Sequence, residues 1–409
     1  MNQFHKKRVL ILTGDAGFGH RSAAEAVAAA LSRRYADECT VEILNPAEDE
    51  RAPGILRNSG ADYDRIVQEM PELYKFGYQL SDALVPVSVM ESALTVMLYG
   101  VMRDMLHHKR PDIIVCTYPL FQAPLRAIFT IEEKWRVPLV TVITDLVENH
   151  RIWFSPNPDL CIVPTEMAAE LALSYGLPPE RIKVAGIPVD AAIAEEEREK
   201  AQIRADLGWR TELPTLLAVG GTRVANLMPT LRALNHSGLA LQLALVAGGD
   251  DELHRQFQEI DWHTPAHLYN FVENMPTLMH ASDFILCKAG GLIVSEALAC
   301  GLPLVLIDVI PGQETGNAEY VVAHGAGEQV EDALAALEII HHWLAEDGAL
   351  LSERAENAQR VGRPQAAFEI AQRVCELIAT PSTEHTESAP ERSALIELLD
   401  RHRVTWREI

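Results

Sequence analysis

Apolar strand-like runs alternating with helical patterns, glycine-rich turns where strand gives way to helix, and a length of 409 residues together predict an α/β protein. It should form two domains of parallel sheet joined by right-handed crossovers. A chain of this length exceeds the size at which one hydrophobic core keeps growing, so two domains are the default. The expected units are residues 1–190, residues 191–378, and a tail over 379–409.

The first strand is Arg8-Val9-Leu10-Ile11-Leu12-Thr13. It runs into the glycine loop Gly14-Asp15-Ala16-Gly17-Phe18-Gly19-His20-Arg21-Ser22, which opens a helix with Ala23, Ala26, Val27, Ala30 and Leu31 on its apolar face. A dinucleotide-binding finger is one reading of Gly17-x-Gly19 after a strand. Against it, Ser22 stands where the third glycine belongs, and the acidic residue due about 20 positions on is at best Glu42, inside the next strand. Ser88 to Met102 is rich in Met and Leu and is followed by Arg103, His107, His108, Lys109 and Arg110. Two readings fit it: a packing helix of the first domain, or an amphipathic stretch that touches a membrane surface. Strands then lead to Thr117-Tyr118-Pro119 and to Thr144-Asp145, and Val184-Ala185-Gly186-Ile187-Pro188-Val189 has the look of a hinge.

Residues 191–205 are strongly charged and helical in pattern. The second unit has strands at Leu216, at Leu241 to Ala247, at Leu268 to Phe271, at Phe284 to Cys287 and at Leu304 to Ile307. A helix is expected at about 364–378 by periodicity. Thr380 to Arg392 is a Pro, Ser, Thr and Glu tract of disordered composition, and Ala394 to Arg403 forms a short terminal helix.

Within the second unit, Asp283-Phe284-Ile285-Leu286-Cys287 reads as a strand broken by Gly290-Gly291. Leu292 to Cys300 then reads as a helix that Gly301 and Pro303 terminate. A glycine turn from strand into helix presents free backbone N–H groups and the positive end of the helix dipole to an anion, and a diphosphate fits there. Taken alone, the same glycines also suit an ordinary tight turn of an α/β unit.

The segment Lys288 to Pro303, with Pro311-Gly312-Gln313-Glu314-Thr315-Gly316-Asn317 after it, resembles the donor-binding signature of glycosyltransferases with the GT-B fold. The likeness is closest to the monogalactosyldiacylglycerol synthase and processive diacylglycerol glucosyltransferase family, related to the N-acetylglucosaminyltransferase of the lipid II pathway. It extends to Asp15-x-Gly17-x-Gly19-His20, to the Thr117-Tyr118-Pro119 loop, to Thr144-Asp145 followed by His150 and Trp153, and to Asn270-Phe271-Val272-Glu273-Asn274-Met275-Pro276. The resemblance implies an acceptor-binding N-terminal domain and a UDP-sugar-binding C-terminal domain, both Rossmann-like, with parallel sheets that face each other across a cleft. It places the ribose hydroxyls on Glu296, the donor sugar and phosphates against Gln313, Glu314 and Asn317, and the uracil near Phe271, Val272 and Met275. Gly220, Gly221, Gly290 and Gly291 would line the diphosphate, and Arg223 would add a cation there. Gly19, Tyr118, His150 and Trp153 would shape the acceptor site, although plant members carry His where Tyr118 stands.

The implied reaction is transfer of a hexose from UDP-glucose or UDP-galactose to a lipid hydroxyl, that of diacylglycerol, with inversion. The acceptor must lose a proton as it attacks, and a histidine suits that task. His20 is the candidate base, with Asp15 or Asp145 to orient it or take its place. The aromatic segment Met70 to Tyr78 is suited to line an acyl-chain groove. A polyprenyl-linked or soluble acceptor, or a non-hydrolysing UDP-sugar epimerase of the same fold, are the alternatives.

A formal net charge of −23 argues against nucleic acid, which requires basic stripes. The six cysteines show no Cys-x-x-Cys, which suits reduced buried thiols. Asp62-Tyr63-Asp64 superficially matches the Asp-x-Asp of metal-dependent transferases, yet it does not follow a nucleotide-domain strand, so no metal is expected. No cofactor beyond the UDP-sugar co-substrate is expected either. With no apolar run of about 18 residues to span a bilayer, the expected location is cytoplasmic, with transient contact at the inner face of the membrane.

Overall fold

The computed structural model describes residues 6–15, 18–57, 84–132, 136–147, 149–154, 158–221, 224–311 and 314–379. Asp62-Tyr63-Asp64, the Met70 to Tyr78 segment, Arg223, Gln313 and residues 380–409 lie outside the described residues.

Strands β1 (Lys7–Leu12), β2 (Cys39–Leu44), β3 (Ile113–Cys116), β4 (Leu139–Val142), β5 (Leu160–Val163) and β6 (Ile182–Val184) form one sheet. Its order is β2-β1-β3-β4-β5-β6, parallel throughout. Strands β7 (Thr215–Val219), β8 (Gln242–Val246), β9 (Ala266–Tyr269), β10 (Phe284–Cys287), β11 (Leu304–Leu306) and β12 (Gly327–Gln329) form the second, in the order β12-β11-β10-β7-β8-β9 and again parallel. The edge strand β12 was not anticipated: Gly327-Glu328-Gln329 carries no apolar side chain to mark it.

The helices are α1 (Phe18–Arg34), α2 (Gly54–Arg57), α3 (Leu84–Lys109), α4 (Gln122–Ile131), α5 (Glu166–Ser174), α6 (Ala191–Glu195), α7 (Lys200–Leu207), α8 (Leu227–Asn235), α9 (Asp251–Gln258), α10 (Met275–Ala281), α11 (Gly291–Ala299), α12 (Thr315–Ala323), α13 (Ala333–Leu344), α14 (Ala349–Val361) and α15 (Ala366–Ala379). They cover both faces of each sheet, which is why the strands read as unbroken apolar runs. In β1, Val9 and Ile11 join the core against α1, while Leu10 and Leu12 join the opposite core with Leu98, Met102 and Leu106 of α3.

Helix α15 packs on α1, and its Phe368, Ile370, Ala371 and Val374 lie in the same core as Val9 and Val115. The last helix therefore packs on the first sheet rather than on the second. Its amphipathic pattern records that it has a buried face but not which sheet it covers. In α3, Leu94, Leu98, Val101, Met102 and Leu106 are buried as a packing helix requires, whereas Val89 and Val96 are 66% and 68% exposed. All six cysteines are free thiols. Among the described residues, no helix is long and apolar enough to cross a membrane.

Candidate active site

In each sheet the chain reverses its direction of growth once, between β1 and β3 and between β7 and β10. Open α/β sheets bind ligands at the carboxyl ends of strands beside such a switch point. The loops that carry the candidate residues leave the carboxyl ends of β1, β3, β4, β7, β9, β10 and β11, and four of these strands, β1, β3, β7 and β10, flank the switch points.

His20 lies in the first turn of α1. Its Nδ1 is 2.8 Å from Thr144 Oγ1, and its backbone carbonyl accepts from Thr117 Oγ1 at 3.1 Å. The ring stands edge-on to Tyr118, with centroids 5.0 Å apart, and 5.9 Å from Trp153. Burial lowers its pKa from 6.5 to about 4, only partly opposed by a hydrogen bond to the Thr117 main chain. The imidazole is therefore neutral at pH 7 and able to accept a proton.

Asp145 follows Thr144 directly. Burial raises its pKa to about 6 against a hydrogen bond from Trp153, and the charge of Glu314 adds to the rise. Trp153 thus touches both candidate proton carriers. Asp15 is placed otherwise than expected: its oxygens take Arg21 Nε and Nη2 at 2.5 and 3.0 Å and Asn45 Nδ2 at 2.7 Å. The Arg21 guanidinium holds its pKa near 2, so Asp15 braces the loop as a permanent anion. His150 is buried, and its Nδ1 accepts from the Ile152 N–H at 3.2 Å. Tyr118 is 6% exposed, its ring buried against His20 and Phe121.

On the facing domain, Gly290 caps α11. A Cβ on Gly291 would lie 2.6 Å from the Thr144 carbonyl, and one on Gly19 would lie 3.9 Å from Leu292 Cβ. The first turns of α1 and α11 therefore lie close together, and a side chain at 291 would collide with the Thr144 carbonyl in the loop after β4. Helix N-termini carry free N–H groups and partial positive charge, which favour an anion beside them. Lys288 Nζ stands 3.6 Å from Glu314 Oε1, and Glu314 Oε2 accepts from the Ile310 N–H at 3.0 Å.

Glu296 is half-buried on α11. Burial pushes its pKa from 4.5 to about 8, with Asp190 adding to the effect. Asn317, expected to face the donor sugar, instead has both amide ends on the main chain: Oδ1 accepts from Leu146 N–H at 3.1 Å, and Nδ2 donates to Ala289 C=O at 2.9 Å. Gly220 and Gly221 follow β7. Phe271 is 70% exposed beside Gly249, and Val272 and Met275 pack partly into the core.

Three contributors were not singled out as site residues: Thr144, Lys288 and the pair Asn226–Asp308. Asp308 sits at φ +50° and accepts from Asn226 N and Nδ2 at 2.8 and 2.7 Å, tying the loop after β11 to the loop after β7. Lys288 follows β10 beside a switch point and Thr144 follows the carboxyl end of β4, a signal that was open to use; the Asn226–Asp308 clasp has no local signature. Among the described residues, no three His, Cys, Asp or Glu side chains group as they would around a metal ion.

Residues 20–189 match the family described as monogalactosyldiacylglycerol (MGDG) synthase, and residues 215–373 match the glycosyltransferase family 28 C-terminal domain. The chloroplastic monogalactosyldiacylglycerol synthase of Spinacia oleracea is 31% identical over 381 residues, spanning 91% of this chain and 73% of its own length. The MurG structure from Acinetobacter baumannii matches with a TM-score of 0.58 at 15% identity, covering 91% of this chain and all (100%) of that one. The UDP-GlcNAc 2-epimerase of Neisseria meningitidis, bound to UDP-GlcNAc, matches with a TM-score of 0.57 at 15% identity, covering 91% and 99%. These two structures share the GT-B fold with this chain.

Proposed function

Because the chain belongs to the monogalactosyldiacylglycerol synthase family, we propose that it moves a hexose from a UDP-sugar to the free hydroxyl of diacylglycerol with inversion at the anomeric carbon. The observation that supports this reading is the closeness of the first turns of α1 and α11, with the His20 imidazole in the former; we read the two helix N-termini as the diphosphate site. The diphosphate sits at Gly290 and Gly291, with Lys288 as a cation in the same loop and Gly220 and Gly221 at the end of the neighbouring strand β7; Arg223 is the second cation proposed from the sequence. Glu296 holds the ribose hydroxyls. The main chain at Val272 reads the uracil edge, and the exposed Phe271 ring offers it an apolar neighbour.

The acceptor oxygen bonds to the anomeric carbon as the bond from that carbon to the β-phosphate oxygen breaks. His20 takes the acceptor proton, and UDP leaves against the N–H groups and dipole of α11. A diphosphate nearby favours the protonated form of both His20 and Asp145. That strengthens a histidine starting from about 4, while it pushes a carboxyl already near 6 towards a neutral acid that cannot act as base. We assign the proton to His20 on that ground. The exposed Val89 and Val96, with Arg103 and His107 further along α3, form the face assigned to transient contact with the lipid surface.

The test uses a donor labelled in its sugar, with diacylglycerol in detergent micelles. Label that partitions into organic solvent only when the lipid is present is the expected result. Label that remains in water as free sugar, an epimer or a polar conjugate would overturn the lipid acceptor.

A further inference from the structure

We infer that Asn317 is a positioning residue that keeps the His20 imidazole in register with the donor domain, acting through the Leu146 main chain and Thr144. The inference rests on the reading above, in which His20 takes the acceptor proton.

Leu146 belongs by sequence to the loop after β4 of the first sheet, yet its side chain lies in the core of the second domain, with Ile187, Ala289 and Ala297. Its main chain is held from both sides. The carbonyl accepts from Thr165 Oγ1 at 2.7 Å, where Thr165 caps α5 of the first domain, and the N–H donates to Asn317 of the second. Asn317 is 2% exposed, and its other amide end is fixed on the Ala289 carbonyl, two residues before Gly291.

Two residues before Leu146, the Thr144 hydroxyl meets His20 Nδ1 at 2.8 Å, and the Thr144 carbonyl lies against Gly291. Hydrogen bonds from the Ala289 carbonyl through Asn317 to the Leu146 N–H, two residues of main chain back to Thr144, and the Thr144 hydroxyl together connect the strand end before α11 to the imidazole. An amide suits this place because it offers one acceptor and one donor. Alanine offers neither, and an ionised aspartate cannot donate to the Ala289 carbonyl.

The experiment compares full-length Asn317→Ala, Asn317→Asp, Thr144→Val and Thr144→Ser by NMR of the histidine ring nuclei across pH, the His20 signal being identified by its loss in His20→Gln. UDP affinity by calorimetry and thermal unfolding are measured alongside. Asn317→Ala and Thr144→Val are expected to move the His20 resonance and its titration, and Thr144→Ser, which keeps the hydroxyl, to restore both. UDP affinity should stay within about twofold and kcat should fall about tenfold or more, because the loss is one of orientation rather than donor binding.

An unmoved His20 signal in Asn317→Ala, together with weakened UDP-sugar binding, would overturn the proposal and make Asn317 a direct donor contact. If Asn317→Ala fails to fold, Asn317→Asp and Thr144→Val decide by the same signal. The ring spectrum needs no turnover. Failure to glycosylate diacylglycerol would therefore count against the functional reading alone, whereas an unmoved imidazole would count against this one alone.

Discussion

Tyr118 fills the space that a side chain at residue 14 would need: a Cβ on Gly14 would lie 2.5 Å from Tyr118 Cδ1 and 2.8 Å from its Cγ. The same ring stands edge-on to His20 and, 5.2 Å away, to Phe121. Residue 14 thus governs one wall of the His20 pocket without touching the imidazole. Gly14→Ala should force the tyrosine to tilt, costing about 1–3 kcal/mol by overpacking. Its kcat should fall while UDP affinity is retained, as turnover assays and calorimetry would show; unchanged turnover would contradict this account of Tyr118.

The acid limb of the pH profile separates the two candidate bases. With His20 near 4 and Asp145 near 6 in the free enzyme, a limb in kcat/KM near 6 that disappears in Asp145→Asn would assign the proton to the carboxylate. We expect instead that Asp145→Asn keeps the limb. We also expect the limb in kcat to lie at higher pH than in kcat/KM, because the bound diphosphate stabilises the imidazolium.

Glu296 makes stability depend on pH. Folding raises its pKa from 4.5 to about 8, so the folded chain retains a proton that the unfolded chain releases. The stabilisation is fully present below 4.5, declines as pH rises, and is lost as pH passes through about 8. Glu296→Gln mimics the neutral acid at every pH. Thermal unfolding at pH 5 and pH 8 should show the variant gaining on the wild type at the higher pH, and an equal difference at both would refute the assignment.

The Asn226–Asp308 clasp holds the loop after β7 in place. Asp308→Ala leaves the Asn226 N–H without its acceptor and puts alanine at a left-handed φ, so stability should drop by about 1–3 kcal/mol. UDP affinity should weaken with it, because Gly220 and Gly221 lose their support. Calorimetry showing wild-type UDP affinity in a destabilised Asp308→Ala would confine the clasp to a structural role.

What the sequence revealed and what it withheld have physical causes. Periodicity found β1, β7, β8, β10 and β11 because strands covered on both faces must be apolar throughout. The glycine turns at Gly14 and Gly290 were visible because strand, glycine and helix follow one another in the chain. The return of α15 to the first sheet, the burial of Leu146 in the second core and the Asn317 bridge join residues far apart in sequence, and no local pattern records them. Asp15 shows the same limit from the other side. Its position in the glycine loop suggested help to His20, but Arg21 and Asn45 claim its oxygens.

The central claim is most directly tested by mass spectrometry of the lipid extract after incubation of purified protein with diacylglycerol micelles and either UDP-glucose or UDP-galactose. His20→Ala and Glu296→Ala are run in parallel. The account predicts a hexosyl-diacylglycerol from one of the donors, absent with both variants. UDP binding with no glycolipid from either donor, or a glycolipid that persists in His20→Ala, would contradict it.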